Sequence, residues 1–457
     1  MLRLSRAVTR SVTPGPGECW IGVNFVVGVN FVLFRNFRNE QIWRHLVEKL
    51  FNEDESFRKL CLLNDWWRFL PSQGGLEVEA EQSCKKIMYK MTNFHSKWSN
   101  KNLQSTKLFA GGLFSCLKLD QSWLFAGMLD GLIKMWDLSD GPAKPMRVFE
   151  GHEEGITCLD TGPGVLVSGS LDRSVRVWSL DSTRLLRVLR REGSPIISIK
   201  LLSDRLLWWA RSGTFQISSW KGYHRVDPAF KFNIMEDPNS CIMCIGDHYI
   251  VTNQTDENGF SSRDINVYSS ITGMRLIEKD IFSSKDISCL CLLGHLLFIG
   301  AGDCIEVWDV NMSNCLSYIQ SGSPNQNISI KNICVSDFLM VALLSNSMII
   351  CVPIKRIIEE SVISNNEPAV INWDNSGDII ENNDRLWKNM SIVDDKFVFG
   401  LEKKLGDIKL YQWKDSKLSR KQQPSLLSQK CESSRDYFCS NFVIDSAGCF
   451  EEQVDLK

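Results

Sequence analysis

The chain has little charge imbalance. Its 52 basic and 54 acidic residues leave a formal net charge of -2, so no global field draws it to nucleic acid or to a membrane surface. Histidine is scarce: His45, His95, His152, His224, His248 and His295 are scattered, and no metal is assigned. There is no GxxxxGK[ST] phosphate loop and no HExxH motif, and the Gly74-Gly75 and Gly111-Gly112 pairs read as turns, so no cofactor is assigned either. Sixteen cysteines are spread over 457 residues instead of crowding a short chain, which points to a reduced protein of the cytoplasm or nucleus. Residues 1–36 carry Arg3, Arg6 and Arg10 before the apolar stretch Cys19–Phe34, a targeting-like or irregular start. That stretch contains Asn24 and Asn30 and is shorter than the ~20 residues of a spanning helix, so no membrane partner is expected.

What the chain does have is length and an internal period. It exceeds the ~250–300 residues at which one core stops growing, so a large domain with an appendage is expected. Short alternating strands end in an aromatic at Ile133–Trp136, Val175–Trp178, Ile217–Trp220, Ile265–Tyr268, Ile305–Trp308 and Ile408–Trp413, with Ile349–Val352 in the sixth place. A second series runs in step before it, at Phe114–Leu117, Ile156–Leu159, Ile196–Ile199, Ile242–Ile245, Ile287–Leu290, Asn332–Val335 and Asn389–Ile392. Each of these strands reads as carrying Cys or Ser at one equivalent place, where a small side chain suits a tight inner position. A third strand lies between them, as in Trp123–Gly127, Val165–Gly169, Leu296–Gly300 and Lys396–Gly400, and an outer strand such as Met146–Phe149 or Arg184–Arg187 makes four per unit. A repeat of roughly 40–45 residues built from four strands predicts propeller blades. Seven units make a ring, and Thr106–Phe109 is placed to complete the seventh blade and close it.

One unit resembles the WD-repeat family closely, through Gly151-His152, Ser168, Asp172 and Trp178-Ser179; the first and fifth units supply Trp136-Asp137 and Trp308-Asp309. The resemblance implies a structural tetrad in which His152, Ser168, Asp172 and the Trp178 indole hydrogen-bond to one another. The same residue types would serve a hydrolase triad, but no GxSxG elbow surrounds Ser168 and the tetrad already employs all of them, so a non-catalytic protein is expected. The third, sixth and seventh units are degenerate.

Ahead of the repeats the periodicity changes to 3.6. Ile42, Trp43, Leu46, Val47 and Leu50 share a helical face behind an Asn39 cap; a second helix is expected around Phe57–Leu70 and a third over Ser83–His95. This stretch resembles the end of an F-box and its linker in F-box/WD-repeat proteins, through Asn39-Glu-Gln-Ile-Trp43-Arg-His-Leu46, Lys85–Tyr89 and Asn93–Trp98. Arg3–Asn36 lacks the Leu-Pro opening of an F-box. The fold class is therefore all-β, a seven-bladed WD-repeat β-propeller over 106–415. It is preceded by a small α-helical F-box-like linker region over 37–105 and followed by a mostly disordered tail over 416–457.

Function then rests on binding. The resemblance implies a substrate-recognition subunit of a cullin-based ubiquitin ligase, with Ile42, Trp43 and Leu46 toward a Skp-type adaptor; the alternative is a WD-repeat scaffold without ligase function. Arg173, Arg190, Arg191 and Arg211 map to neighbouring loops of the rim that binds ligands in the family. Guanidinium pairs bidentately with phosphate and carboxylate, so an acidic or phosphorylated peptide is the expected target there. A nucleic-acid ligand is not expected from one local cluster on a neutral domain.

Overall fold

The computed structural model describes residues 40–63, 87–91, 93–95 and 97–98, most of 103–413, and the short pair 443–444 and 450–451. The expected targeting-like segment 1–36 and nearly all of the expected tail lie outside the described residues. Two compact units are present, and the larger comprises Leu50–Trp67 and Gln104–Gln412. Among the described residues no helix is long and apolar enough to cross a membrane.

The larger unit is a seven-bladed propeller. Strand β1 (Leu103–Phe109) precedes the first blade, which is β2 (Phe114–Asp120), β3 (Trp123–Met128), β4 (Ile133–Asp137) and β5 (Arg147–Phe149). The second blade is β6 (Ile156–Gly162), β7 (Val165–Ser170), β8 (Ser174–Ser179) and β9 (Leu185–Arg190); the third is β10 (Ile196–Leu201), β11 (Arg205–Ala210), β12 (Thr214–Ser219) and β13 (Pro228–Asn233). The fourth is β14 (Cys241–Ile245), β15 (Tyr249–Thr255), β16 (Ser261–Ser269) and β17 (Ile281–Phe282); the fifth is β18 (Ile287–Leu293), β19 (Leu296–Ala301), β20 (Cys304–Asp309) and β21 (Asn314–Gln320). The sixth uses β22 (Ile330–Val335), β23 (Leu339–Leu344) and β24 (Ile349–Pro353), then after β25 (Ala369–Asn372) its outer strand β26 (Asp378–Ile380). The seventh is β27 (Leu386–Val393), β28 (Lys396–Leu401) and β29 (Asp407–Trp413), and β1 pairs with β29 as its outer strand. The latch expected at Thr106–Phe109 is thus the first strand closing the last sheet.

Each sheet has two apolar faces because a neighbouring blade covers each one. Phe125, Ile133, Met135 and Phe149 of the first blade pack on Ile156, Leu159, Leu166 and Trp178 of the second. Val167, Val175 and Val177 pack on Ile196, Ile199, Leu206 and Trp208 of the third. Strands in the middle of the sheet are therefore apolar on both sides: every residue of β7, β19 and β23 is buried.

The inner strands correct one expectation. Register shows that the small residues occupy two places, not one. Cys116, Cys158 and Cys289 face Gly127, Gly169 and Gly300, whereas Cys244, Cys334 and Ser391 face Val251, Val341 and Val398, two residues further along. A slip of two residues preserves the period of a strand, so alternation alone does not reveal it. In the second layer each blade contributes one side chain: Lys118, Asp160, Lys200, Cys244, Cys291, Cys334 and Ser391. Several of these bond to the following blade. Asp160 accepts the Leu201 N–H at 2.7 Å, Ser391 accepts that of Leu119 at 2.9 Å, and the Cys334 thiol donates to the Met390 carbonyl at 3.6 Å.

A second departure is the insertion after β24. Three helices are described in full: α1 (Glu40–Glu53), α2 (Glu55–Leu63) and α3 (Ile354–Ile363). Asp54 caps α2 by accepting the Phe57 N–H at 3.0 Å. Helix α2 buries Phe57, Leu60, Cys61 and Leu63, α3 buries Ile354, Ile357 and Ile358, and the two helices pack together. After α3 the chain adds β25 in parallel to the outer strand β21 of the fifth blade before returning to its own blade. Helix α2 belongs to the larger unit, and the expected continuation from 64 to Leu70 lies outside the described residues.

Glycine facing the first thiol layer is a packing requirement. A methyl group on Gly169 would lie 2.6 Å from both the Cys158 Sγ and the Ile196 Cγ2. Gly169→Ala is expected to destabilise the protein by about 1–3 kcal/mol in urea unfolding. Adding Cys158→Ala should recover part of that loss but not all, because Ile196 still meets the new methyl group.

Candidate protein-binding rim and its buried support

The second blade holds its polar residues in one hydrogen-bonded chain. Trp178 Nε1 donates to Ser168 Oγ at 2.8 Å, and Ser168 Oγ lies 2.7 Å from His152 Nε2. His152 Nδ1 lies 2.6 Å from Asp172 Oδ2. These distances assign a neutral imidazole that accepts from Ser168 and donates to Asp172. The carboxylate also accepts the Ser174 hydroxyl at 2.6 Å and the Ser174 and Glu153 N–H groups at 2.9 and 3.1 Å. Arg176, itself buried, sits 3.7 Å from Asp172 and donates to Ser174.

Ser174 and Arg176 escaped the sequence reading. The signal was available: Ser174, Arg176 and Trp178 alternate along β8 and share one face. Gly151 lies ahead of His152 with φ 147°, and a side chain there would meet Trp178 and Arg176.

Burial lowers the His152 pKa below its ordinary 6.5, against the raising effect of its bond to Asp172. Burial acts to raise the Asp172 pKa, but hydrogen bonds from Ser174 and His152 outweigh it and bring the value down to about 2. Ser168 is fully buried, and its hydroxyl is engaged by both His152 and Trp178. The chemistry of the group is mutual satisfaction of buried polar atoms, with no access for a substrate carbonyl.

Other blades solve the same problem differently. In the fifth, Glu306 stands at the place of Arg176 and is fully buried; it accepts from Trp308 Nε1 at 3.0 Å, from the Ser284 N–H at 2.9 Å and from the Ser283 hydroxyl at 3.3 Å. In the first, Ala110 and Ala126 occupy the His and Ser places, and the Trp136 indole N–H is buried with no acceptor among the described residues.

Above this support lies the rim, where turns between the third and aromatic strands meet the loops leading to the inner strands. Leu129, Leu171 and Arg211 hold one equivalent place on the first three blades: their N–H groups bond to Leu113, Gly155 and Pro195 carbonyls at 2.9, 2.9 and 2.7 Å. Leu129 and Leu171 are 49% and 37% exposed, and Arg211 is exposed as well. Arg173 is exposed in the adjacent turn with φ 66°; the matching residues are Gly131 in the first blade and Ser347 in the sixth, both also at positive φ. An arginine in a conformation that favours glycine costs about 1 kcal/mol.

The structure thus brings Arg173 and Arg211 to neighbouring turns of one rim, beside two exposed leucines that the sequence reading did not select. Arg190 is the last residue of the outer strand β9, opposite Ser174, which follows Arg173. Arg191 and the side chain of Arg190 lie outside the described residues, as do the side chains of Ile42, Trp43 and Leu46 on α1. Exposed Glu153 and Glu154 flank the same rim.

A further spacing, Cys241-x-x-Cys244-x-x-x-His248, has the form of a metal site and was passed over. No group of three His, Cys, Asp or Glu among the described residues is arranged to hold a metal ion, and the Cys241 side chain lies outside them.

Comparison with known proteins agrees with this geometry. Residues 143–179 match the WD40 family (WD domain, G-beta repeat), a stretch that runs from β5 of the first blade through β8 of the second and includes the polar group. An uncharacterised WD repeat-containing protein of Schizosaccharomyces pombe is 25% identical over 213 residues, 43% of this chain and 54% of that one. The DDB1- and CUL4-associated factor 11 homolog of Caenorhabditis elegans is 37% identical over 67 residues, 14% of this chain and 12% of that one. The chain spans well under two thirds of the length of the curated relatives it matches. A chain in the crystal structure of a mitotic checkpoint complex superposes with a TM-score of 0.51 at 9% identity, covering 67% of this chain and 93% of that chain, which shows the fold alone. The molecule is a seven-bladed propeller that carries a WD40 repeat.

Both His152 and Asp172 have folded pKa values below their unfolded ones, so their contributions to stability are complete above about pH 6.5. Acid removes them: first as unfolded histidine takes up protons below 6.5, then as the pH falls from 3.8 toward about 2. The urea midpoint should therefore drop between pH 7.5 and 5.5, and His152→Gln should flatten that drop while lowering the midpoint at neutral pH. Arg173→Gly should raise stability by about 1 kcal/mol in the same assay.

Proposed function

We propose that this chain is the target-recognition subunit of a cullin-based ubiquitin ligase and works in the cytoplasm or nucleus. It holds a protein target on the rim formed by the first three blades. The observation that carries the recognition role is Arg173: a costly left-handed arginine, kept where the first blade has glycine, is exposed between Leu171 and the Arg211 turn. Guanidinium groups beside exposed leucines fit a peptide that offers a carboxylate or phosphate next to an apolar side chain. The polar group beneath the turn fixes its backbone, so little conformational entropy is lost on binding.

The ligase role is supported by the resemblance of 39–98 to an F-box end and linker, and by the likeness to a relative whose name records association with DDB1 and CUL4. Its mechanism is placement. A tethered target meets the ubiquitin-charged enzyme at raised effective concentration, and the receptor supplies no reacting group. A scaffold without ligase function is the second reading, supported by the WD40 repeat itself, which binds partners without an adaptor.

Affinity capture of the full chain from cells tests both readings. Recovery of a cullin with a Skp-type adaptor or with DDB1 by the full chain supports the ligase; recovery of targets without any cullin selects the scaffold. The pair Arg173→Glu and Arg211→Glu should lower target recovery at least tenfold while the urea midpoint stays at or above its original value. Unchanged recovery would remove the rim from the proposal.

A further inference from the structure

Three thiols stand on consecutive blades in one layer of the inner strands. Cys244, Cys291 and Cys334 face Val251, Phe298 and Val341 respectively, and the first three blades place Lys118, Asp160 and Lys200 in the same layer. Lys118 pairs with Asp160 at 2.7 Å. Lys200 interacts with Asp160 and Asp247 and lies close enough to act on both Cys244 and Cys291.

The thiols are not equivalent. Cys244 donates its S–H to the sulfur of Cys291, across the boundary between the fourth and fifth blades. Cys291 also accepts the backbone N–H of Val335. Cys334 is turned the other way, toward the Met390 carbonyl. Cys244 and Cys291 share an intermediate exposure with Cys116, Cys158 and Cys334, whereas Cys289, which faces Gly300, is buried. Two sulfurs in hydrogen-bond contact and flanked by an ammonium group have no part in the rim or in the polar support beneath it.

We propose that Cys244 and Cys291 form an oxidisable dithiol, a modification site for hydroperoxides, which closes to a disulfide between the fourth and fifth blades. Cys291 is the attacking sulfur. The hydrogen bond from Cys244, with the Val335 N–H and the Lys200 charge, holds its thiol below the ordinary range against the effect of burial. Its thiolate attacks one oxygen of hydrogen peroxide; the O–O bond breaks, and the departing hydroxide takes up the proton lost by the thiol and leaves as water. Cys291 is then a sulfenic acid. The Cys244 sulfur attacks the Cys291 sulfur, the S–O bond breaks, and hydroxide leaves with the Cys244 proton as a second water. Two thiols are oxidised to one disulfide, and one peroxide is reduced to two waters. Burial pushes the thiols facing glycine, Cys116, Cys158 and Cys289, up to about 12 and leaves them unreactive by comparison.

The test is peptide mapping of the full chain after brief treatment with hydrogen peroxide and alkylation of the remaining thiols. The expected product is a Cys244–Cys291 linked peptide that disappears on reduction with dithiothreitol, is absent from C244S and C291S, and persists in C334S. Oxidation should raise the melting temperature of the wild-type chain but not that of C244S. Should Cys244 and Cys291 both remain alkylatable, or should Cys291 advance to sulfinic acid without a cross-link, the proposal is overturned. An equal yield of the linked peptide from urea-unfolded chain would overturn it too, since the fold would then contribute nothing.

Discussion

Every blade of this propeller has two apolar faces, and only another blade can cover each of them. That constraint forces closure. The burial of Phe125 depends on the second blade and that of Val167 on the third, while Leu117 and Leu124 of the first blade rely on Leu108, Val398, Ile408 and Leu410 of the last across the joint. The joint is held by strand β1, which comes from before the first blade and hydrogen-bonds into the last. Pairing distant parts of the chain in one sheet removes the free edges that an open row of blades would expose.

Within the closed ring the repeats are free to diverge as long as each buried polar atom finds a partner. The second blade uses His152, Ser168, Asp172 and Trp178 with Ser174 and Arg176; the fifth uses Glu306 with Ser283, Ser284 and Trp308. Both arrangements anchor the aromatic strand to the loop that leads to the inner strand. The rim turns rest on these anchors, so a residue as unfavourable as Arg173 at positive φ is held in place by its surroundings. Near the ring axis a different rule operates, in which side chains such as Asp160 and Ser391 bond to the backbone of the next blade.

Much of this was legible beforehand. The aromatic strands, the inner strands and the closing strand were readable because apolar alternation reports which face of a strand is buried. The His152 to Trp178 set stood out through its residue types and order. Register within the inner strands was not readable, because moving Cys244 or Cys334 by two places leaves the alternation unchanged. Nor was the excursion of α3 and β25, since joining the fifth blade in parallel depends on an outer edge made by other residues. Arg176 and Glu306 gave a misleading signal, as charged side chains on a strand ordinarily point to solvent.

The sequence by itself determined the kind of object: seven four-stranded units with one well-formed polar blade, and no motif for turnover. Local pattern suffices for that because period and residue type are carried by neighbouring positions. The tertiary structure alone decided which side chains meet. It set Arg173 and Arg211 on adjacent turns, moved Arg190 to an outer strand, and put Cys244 against Cys291. Those relations span separate blades, and their geometry exists only once the ring has closed.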